Sequence, residues 1–282
     1  MVVSAKVDSE SVNSLQALPE IWQVAAQKFG QKIALNAPHL KPKVSISYQE
    51  LAQKINEVAI ALQTLGVQPQ EKIALFADNS PRWLIADQGI MQAGAVNVVR
   101  SSTAETQELA YIFQDSDSVA LVAENQKTLE KLTPEIKDCN LKFVILLSDE
   151  EIKDNNQLDC QILNFSQLLE LGKGKSLQSV EQGADTLATL IYTSGTTGKP
   201  KGAMLSHGNL LHQVKNLDAI LLCQPGDRVL SILPSWHAYE RSAEYFLLSR
   251  GCTQYYTNLR SLKADLKKYL SLIHISEPTR PY

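Results

Sequence analysis

Between Lys72 and Leu147 short apolar runs alternate with amphipathic segments, and few residues separate one from the next. The runs Lys72–Phe76, Ala95–Val99, Ser118–Ala123 and Lys142–Leu147 read as strands. The intervening segments read as helices: one opened by Asn79-Ser80-Pro81 and closed by Gly94, one over Ser102–Asp115, one over Asn125–Leu132. Such alternation predicts an α/β chain whose sheet is largely parallel and covered by helices on both faces. Upstream, Pro19-Glu20 opens a helix with Ile21, Ala25 and Phe29 on one face, and Lys32–Leu35 and Val44–Ser47 read as short strands. Ser47-Tyr48-Gln49-Glu50 has the form of a capping box. The helix behind it carries Leu51, Ile55, Val58, Leu62 and Leu65 on one face until Gly66 stops it. Residues 148–185 are polar and weakly periodic and read as a surface excursion. Gly172-Lys173-Gly174 there completes no G-x-G-x-x-G and is not a dinucleotide site.

A chain of 282 residues, 44% hydrophobic and 20% charged, can bury a substantial core. Its formal charge of −3 gives no electrostatic case for nucleic acid or for an anionic membrane surface. Cys139, Cys160, Cys223 and Cys252 show no C-x-x-C spacing and read as reduced thiols of a cytoplasmic protein. The start lacks a basic-then-apolar leader pattern, and no apolar run approaches the roughly 18 residues that span a bilayer. Membrane association, if any, is expected to be peripheral. No metal site emerges, because His207 and His212 lack an H-E-x-x-H frame. His207 reads as surface at a helix start.

One stretch stands apart. Thr193-Ser194-Gly195-Thr196-Thr197-Gly198-Lys199-Pro200-Lys201-Gly202 has no apolar residue. It lies between the strand-like Leu187–Tyr192 and the apolar Ala203-Met204-Leu205. Glycines let backbone N–H groups converge on an anion, hydroxyls add short donors, and Lys199 and Lys201 add positive charge. It is not a Walker A loop, since the glycines are too close together and no Ser or Thr follows Lys199. Further on, Ser206 can cap a helix running to about Leu222, Pro225-Gly226-Asp227 makes a turn, and Val229–Leu233 reads as a strand. Leu233-Pro234-Ser235-Trp236-His237-Ala238-Tyr239-Glu240-Arg241 then places an imidazole and an indole on a strand-to-helix turn. By itself His237 reads as a packed or surface histidine. Glu240 and Arg241 read as a local ion pair, without a catalytic role.

The string Tyr192–Gly202 resembles the phosphate-loop signature of the adenylate-forming superfamily. Ser47-Tyr48-Gln49-Glu50-Leu51 and Gln92-Ala93-Gly94-Ala95-Val96 resemble its early structural motifs. Trp236–Tyr245 is similar to the cyanobacterial and plastid acyl-acyl carrier protein synthetases of the long-chain fatty-acid branch. The resemblance implies the N-terminal part of the large domain of such an enzyme, with mostly parallel sheets flanked by helices. It implies ATP as co-substrate and Mg2+, whose ligand belongs to a later motif not found here. It also implies a fatty acid as substrate, and CoA or the phosphopantetheine arm of acyl carrier protein as acceptor. Thr193, Ser194, Gly195, Thr196, Thr197 and Gly198 would cradle phosphates, with Lys199 and Lys201 neutralising them. His237 would lie against the carboxylate and the adenylate. Trp236 and Tyr239 serve equally as pocket walls for an alkyl chain or as core aromatics.

The expected organisation is a flexible N-terminus over residues 1–14, an incomplete AMP-binding domain over 15–270, and an unrelated tail over 271–282. Ser271–Arg280 reads as a sequencing adapter translated in frame, interrupting the helix that starts near Lys263. The C-terminal domain of the superfamily is missing, and the chain alone is expected to be inactive.

Overall fold

The computed structural model describes residues 14–152, 157–193, 199–219, 221–269 and 273–274. In chain order the elements are α1 (Glu20–Phe29), β1 (Ile33–Ala37), β2 (Val44–Ser47), α2 (Tyr48–Thr64), β3 (Lys72–Phe76), α3 (Pro81–Gln92) and β4 (Val96–Arg100). Next come α4 (Thr106–Asp115), β5 (Ser118–Ala123), α5 (Gln126–Ile136), β6 (Phe143–Leu146), β7 (Gln161–Asn164), α6 (Phe165–Gly172) and β8 (Leu187–Thr193). The remainder is β9 (Lys201–Ser206), α7 (His207–Asn216), β10 (Arg228–Ser231), α8 (Ala238–Ser249), β11 (Thr253–Tyr256), α9 (Leu262–Tyr269) and β12 (Ile273–His274). These elements form two compact units. The first comprises Met1–Ala52, Asn79–Pro81 and Leu210–Tyr282, the second Gln53–Asp78 and Arg82–Asn209.

The second unit is built on a seven-stranded sheet of order β7-β6-β5-β3-β4-β8-β9. Every pairing in it is parallel except β8 with β9. Its central strands are apolar along their length because helices cover both faces; Ile73, Ala74, Leu75 and Phe76 are all 0% exposed. Phe76, Val98, Leu121 and Val144 pack with Ile112, Leu129 and Leu132 into its main core. The first unit holds a five-stranded sheet of order β12-β10-β11-β1-β2, with β2 antiparallel to β1 and the other pairings parallel. The fold class expected from the alternating pattern is therefore observed, and β2, β3 and β5 have the predicted bounds. The capping box of α2 also forms: Ser47 N–H donates to Glu50 Oε2 at 2.8 Å, and Glu50 N–H donates back to Ser47 Oγ at 3.2 Å.

Several expectations need correction. Residues 148–185 are not a bare excursion, because β7 extends the sheet beyond β6 and α6 follows it. Asn164 and Gln167 cap α6 reciprocally. Gly172 ends that helix where an added Cβ would stand 1.9 Å from the Glu57 carbonyl oxygen, so it is a close-packing glycine. The helix expected over Ser102–Asp115 starts only at Thr106, because the backbone at its N-cap, Glu105, is extended with ψ 143°. Helix α5 runs through Pro134 to Ile136, its last turn held by the buried Thr133 and Ile136. Helix α7 stops at Asn216, six residues short of the expected end, and a 3-10 turn over Leu217–Ala219 follows. The strand expected over Val229–Leu233 is Arg228–Ser231.

Candidate functional site

The glycine-rich stretch connects β8 to β9, so it belongs to an antiparallel hairpin at the sheet edge. Thr193 pairs with Lys201 at the foot of that hairpin. Ser194, Gly195, Thr196, Thr197 and Gly198 lie outside the described residues. Thr193, Lys199 and Lys201 are exposed. Beneath them, Tyr111 and Tyr192 both donate to Asp115, at 2.9 Å to Oδ1 and 2.7 Å to Oδ2. Burial, then the hydrogen bond to Asp115, pushes the Tyr192 phenol well above its ordinary range, so it remains a donor. Lys199 Nζ rests 5.4 Å from the Tyr111 ring centroid, a cation–π seat for one of the two cations. Gly202 lies over the Tyr192 ring, where a Cβ would come to 3.0 Å. Tyr111 and Asp115 were not anticipated from sequence, since α4 meets the hairpin only through the fold. The apolar Ala203-Met204-Leu205 does not form a buried wall: it lies on the edge strand, and Met204 is 68% exposed.

His207, expected at the surface, is 0% exposed. Its ring shares a 2.8 Å hydrogen bond with Gln182, and its backbone N–H donates to the Thr186 carbonyl at 3.0 Å. Burial lowers its pKa to about 4. The unfolded chain therefore binds this proton first as pH falls below about 6.5, and the folded chain only near 4. The His207 contribution to stability is expected to decline by about 3 kcal/mol across that window and then level off, and it is read as the difference in pH slope between wild type and variant. Urea unfolding at pH 7.5 and 4.5 checks this, and His207→Asn should remove that part of the loss. An unchanged pH slope in the variant would contradict the assignment.

The second group sits in the other unit, on the turn from β10 to α8. Pro234 O accepts from His237 N–H at 3.0 Å, and His237 stands at the N-cap of α8. Its imidazole is exposed, Trp236 is half-buried, and Tyr239 is 50% exposed. Glu240 and Arg241, expected as a local ion pair, are both buried. Glu240 Oε1 accepts from the Ser231 hydroxyl at 2.7 Å, and Arg241 Nε donates to the Tyr245 hydroxyl at 3.0 Å. Burial, offset in part by the Ser231 hydrogen bond, pushes the Glu240 carboxyl up to about 7. The connection of Asn79 with Ser231 and Glu240 is not legible in the sequence, because Asn79 lies 152 residues before Ser231. Among the described residues no three His, Cys, Asp or Glu side chains gather as metal ligands, and no helix is long and apolar enough to cross a membrane.

Residues 22–279 match the model of the AMP-binding enzyme family, and the chain belongs to that family. It is 42% identical over 276 residues to the chloroplastic long-chain-fatty-acid–[acyl-carrier-protein] ligase AEE15 of Arabidopsis thaliana, covering 93% of this chain and 38% of that protein. It is also 42% identical over 281 residues to the probable acyl-activating enzyme 16 of the same organism, covering 95% of this chain and 39% of that one. The chain thus spans about two fifths of the length of these curated relatives. Among solved structures, the long-chain-fatty-acid-CoA ligase FadD1 of Archaeoglobus fulgidus shares the fold with a TM-score of 0.78. That likeness has 22% identity and covers 92% of this chain and 51% of that one.

Proposed function

We propose that this chain is the N-terminal part of an ATP-dependent ligase. The enzyme converts a long-chain fatty acid to an acyl-adenylate and then to a thioester of acyl carrier protein or CoA. The observation that carries this reading is 42% identity, over 93% of the chain, to a relative named for that reaction. A carboxylate is a weak nucleophile and must approach another anion, so catalysis rests on neutralising and aligning phosphates. Thr193 to Gly198 supply backbone N–H groups and hydroxyls to the β- and γ-phosphates of ATP. Lys199 and Lys201 stabilise the departing pyrophosphate. His237 orients the acyl carboxylate, and Trp236 and Tyr239 line the alkyl chain's path. The carboxylate oxygen bonds to the α-phosphorus as the bond to pyrophosphate breaks; a thiolate then displaces AMP from the acyl carbon. Mg2+, carried in with ATP, would neutralise part of the phosphate charge.

The test is pyrophosphate exchange by the full-length protein of the source gene, across fatty, amino and aryl acids. Thioester formation with acyl carrier protein and with CoA is then compared. Exchange dependent on long-chain fatty acids supports the reading, whereas exchange driven only by amino or aryl acids replaces it. Sequencing the source DNA across the codons for Lys268–Tyr282 tests the proposal that 271–282 is adapter-encoded. Within that segment the structure describes Ile273–His274, as β12 beside β10.

A further inference from the structure

The turn that carries Trp236 and His237 is tied at both ends through one buried hydroxyl. Ser231, the last residue of β10, accepts from Asn79 Nδ2 at 2.7 Å and donates to Glu240 Oε1 at 2.7 Å. The same Asn79 amide donates to the Leu233 carbonyl at 3.0 Å. Three hydrogen bonds therefore link the start of the turn, its end in the first turn of α8, and the short Asn79–Pro81 segment of the same unit. Ser231 and Glu240 are each 1% exposed. The second oxygen of Glu240 and the side-chain oxygen of Asn79 find no hydrogen-bond partner among the described residues. Burying a carboxyl group with one oxygen unpartnered disfavours folding, and an apolar side chain of similar size would pack there at lower cost. What the carboxyl provides that an apolar residue cannot is an acceptor that fixes the Ser231 hydroxyl, and with it the span of the turn.

We propose that Glu240 is a positioning residue: through Ser231 and Asn79 it holds the Ile232–Tyr239 turn so that His237 is presented to the acyl carboxylate. This rests on the fatty-acid ligase reading. Glu240 acts only through the backbone it braces.

The test uses the full-length protein with Glu240→Ala, Glu240→Gln and Ser231→Ala. Glu240→Ala and Ser231→Ala are expected to raise the fatty-acid KM about tenfold or more while moving the ATP KM less than about twofold. Glu240→Gln keeps the oxygen that accepts from Ser231 and should restore near-native KM. Hydrogen-exchange mass spectrometry should show faster exchange over 232–239 in the first two variants and native exchange in Glu240→Gln. Unchanged exchange in the turn of folded Glu240→Ala or Ser231→Ala overturns the proposal, as does a Glu240→Gln variant as impaired as Glu240→Ala. If Glu240→Ala does not fold, Ser231→Ala, which removes one oxygen, carries the test. If the wild-type protein shows no fatty-acid-dependent exchange of pyrophosphate, the ligase reading fails. The amide-exchange comparison still decides whether Glu240 holds the turn.

Discussion

Gly172→Ala is expected to destabilise the unit containing the seven-stranded sheet by about 3 kcal/mol or more. The added Cβ would stand 1.9 Å from the Glu57 carbonyl oxygen, 2.7 Å from its carbon and 3.0 Å from its Cα. All three are backbone atoms in the middle of α2, so no rotamer change can relieve the contact. Either α6 moves off α2 or both helices distort. Gly89 makes a useful contrast: its Cβ would meet Val58 Cγ1 at 2.4 Å, but that neighbour is a side chain. Gly183, with nothing within 4 Å, is the control and should tolerate alanine within about 0.5 kcal/mol. Urea midpoints followed by circular dichroism measure all three. A Gly172→Ala midpoint equal to that of Gly183→Ala would mean that the two helices do not pack this closely.

The second large effect concerns the cations beside the hairpin. On the ligase reading proposed above, Lys199→Ala and Lys201→Ala in the full-length protein are each expected to lower the rate of adenylate formation by about 100-fold, the scale seen when one preorganised charge or donor is lost at a developing anion. Lys→Arg should recover only part of the rate, because a planar fork does not reproduce a compact ammonium. Steady-state kinetics with ATP and a fatty acid separate the possible roles. A lower kcat with little change in the ATP KM marks charge stabilisation in the transition state, and a raised KM with unchanged kcat marks ground-state binding. If neither constant moves, these lysines are spectators.

How legible each feature was depended on how far apart its partners lie in the chain. The capping box at Ser47 and Glu50 spans three residues and was readable, as were β3 and β5, whose burial on both faces leaves an apolar run. The edge strand β7 was not. It has four residues, with Gln161 exposed and Leu163 its one buried member. The Asn164–Gln167 capping pair behind it is present in the sequence, but the polar stretch around it masks the signal. His207 looked like a surface residue because Gln182 and the Thr186 carbonyl, which receive it, lie upstream across the hairpin. The phosphate-loop string declared itself in composition, but the Tyr111–Asp115 support beneath Tyr192 did not. The partners of Glu240 and Arg241 were equally hidden: two adjacent opposite charges suggest only each other, whereas the fold also brings the Ser231 hydroxyl to Glu240 and the Tyr245 hydroxyl to Arg241.

The pairing of Thr193 with Lys201 makes the glycine-rich segment a ring closed by a ladder rung. Adjacent residues of a strand point to opposite sides, so the length of that ring decides which side of β9 each following residue occupies. Point changes within the ring alter its chemistry one group at a time. Adding or deleting a single residue is a different kind of lesion: the ring must absorb it as a bulge, or Lys201 and Gly202 exchange sides and a lysine is driven toward the Tyr192 ring. Spacing is thus as much a part of this site as composition, and variation among working versions of the hairpin should run through substitution at constant length.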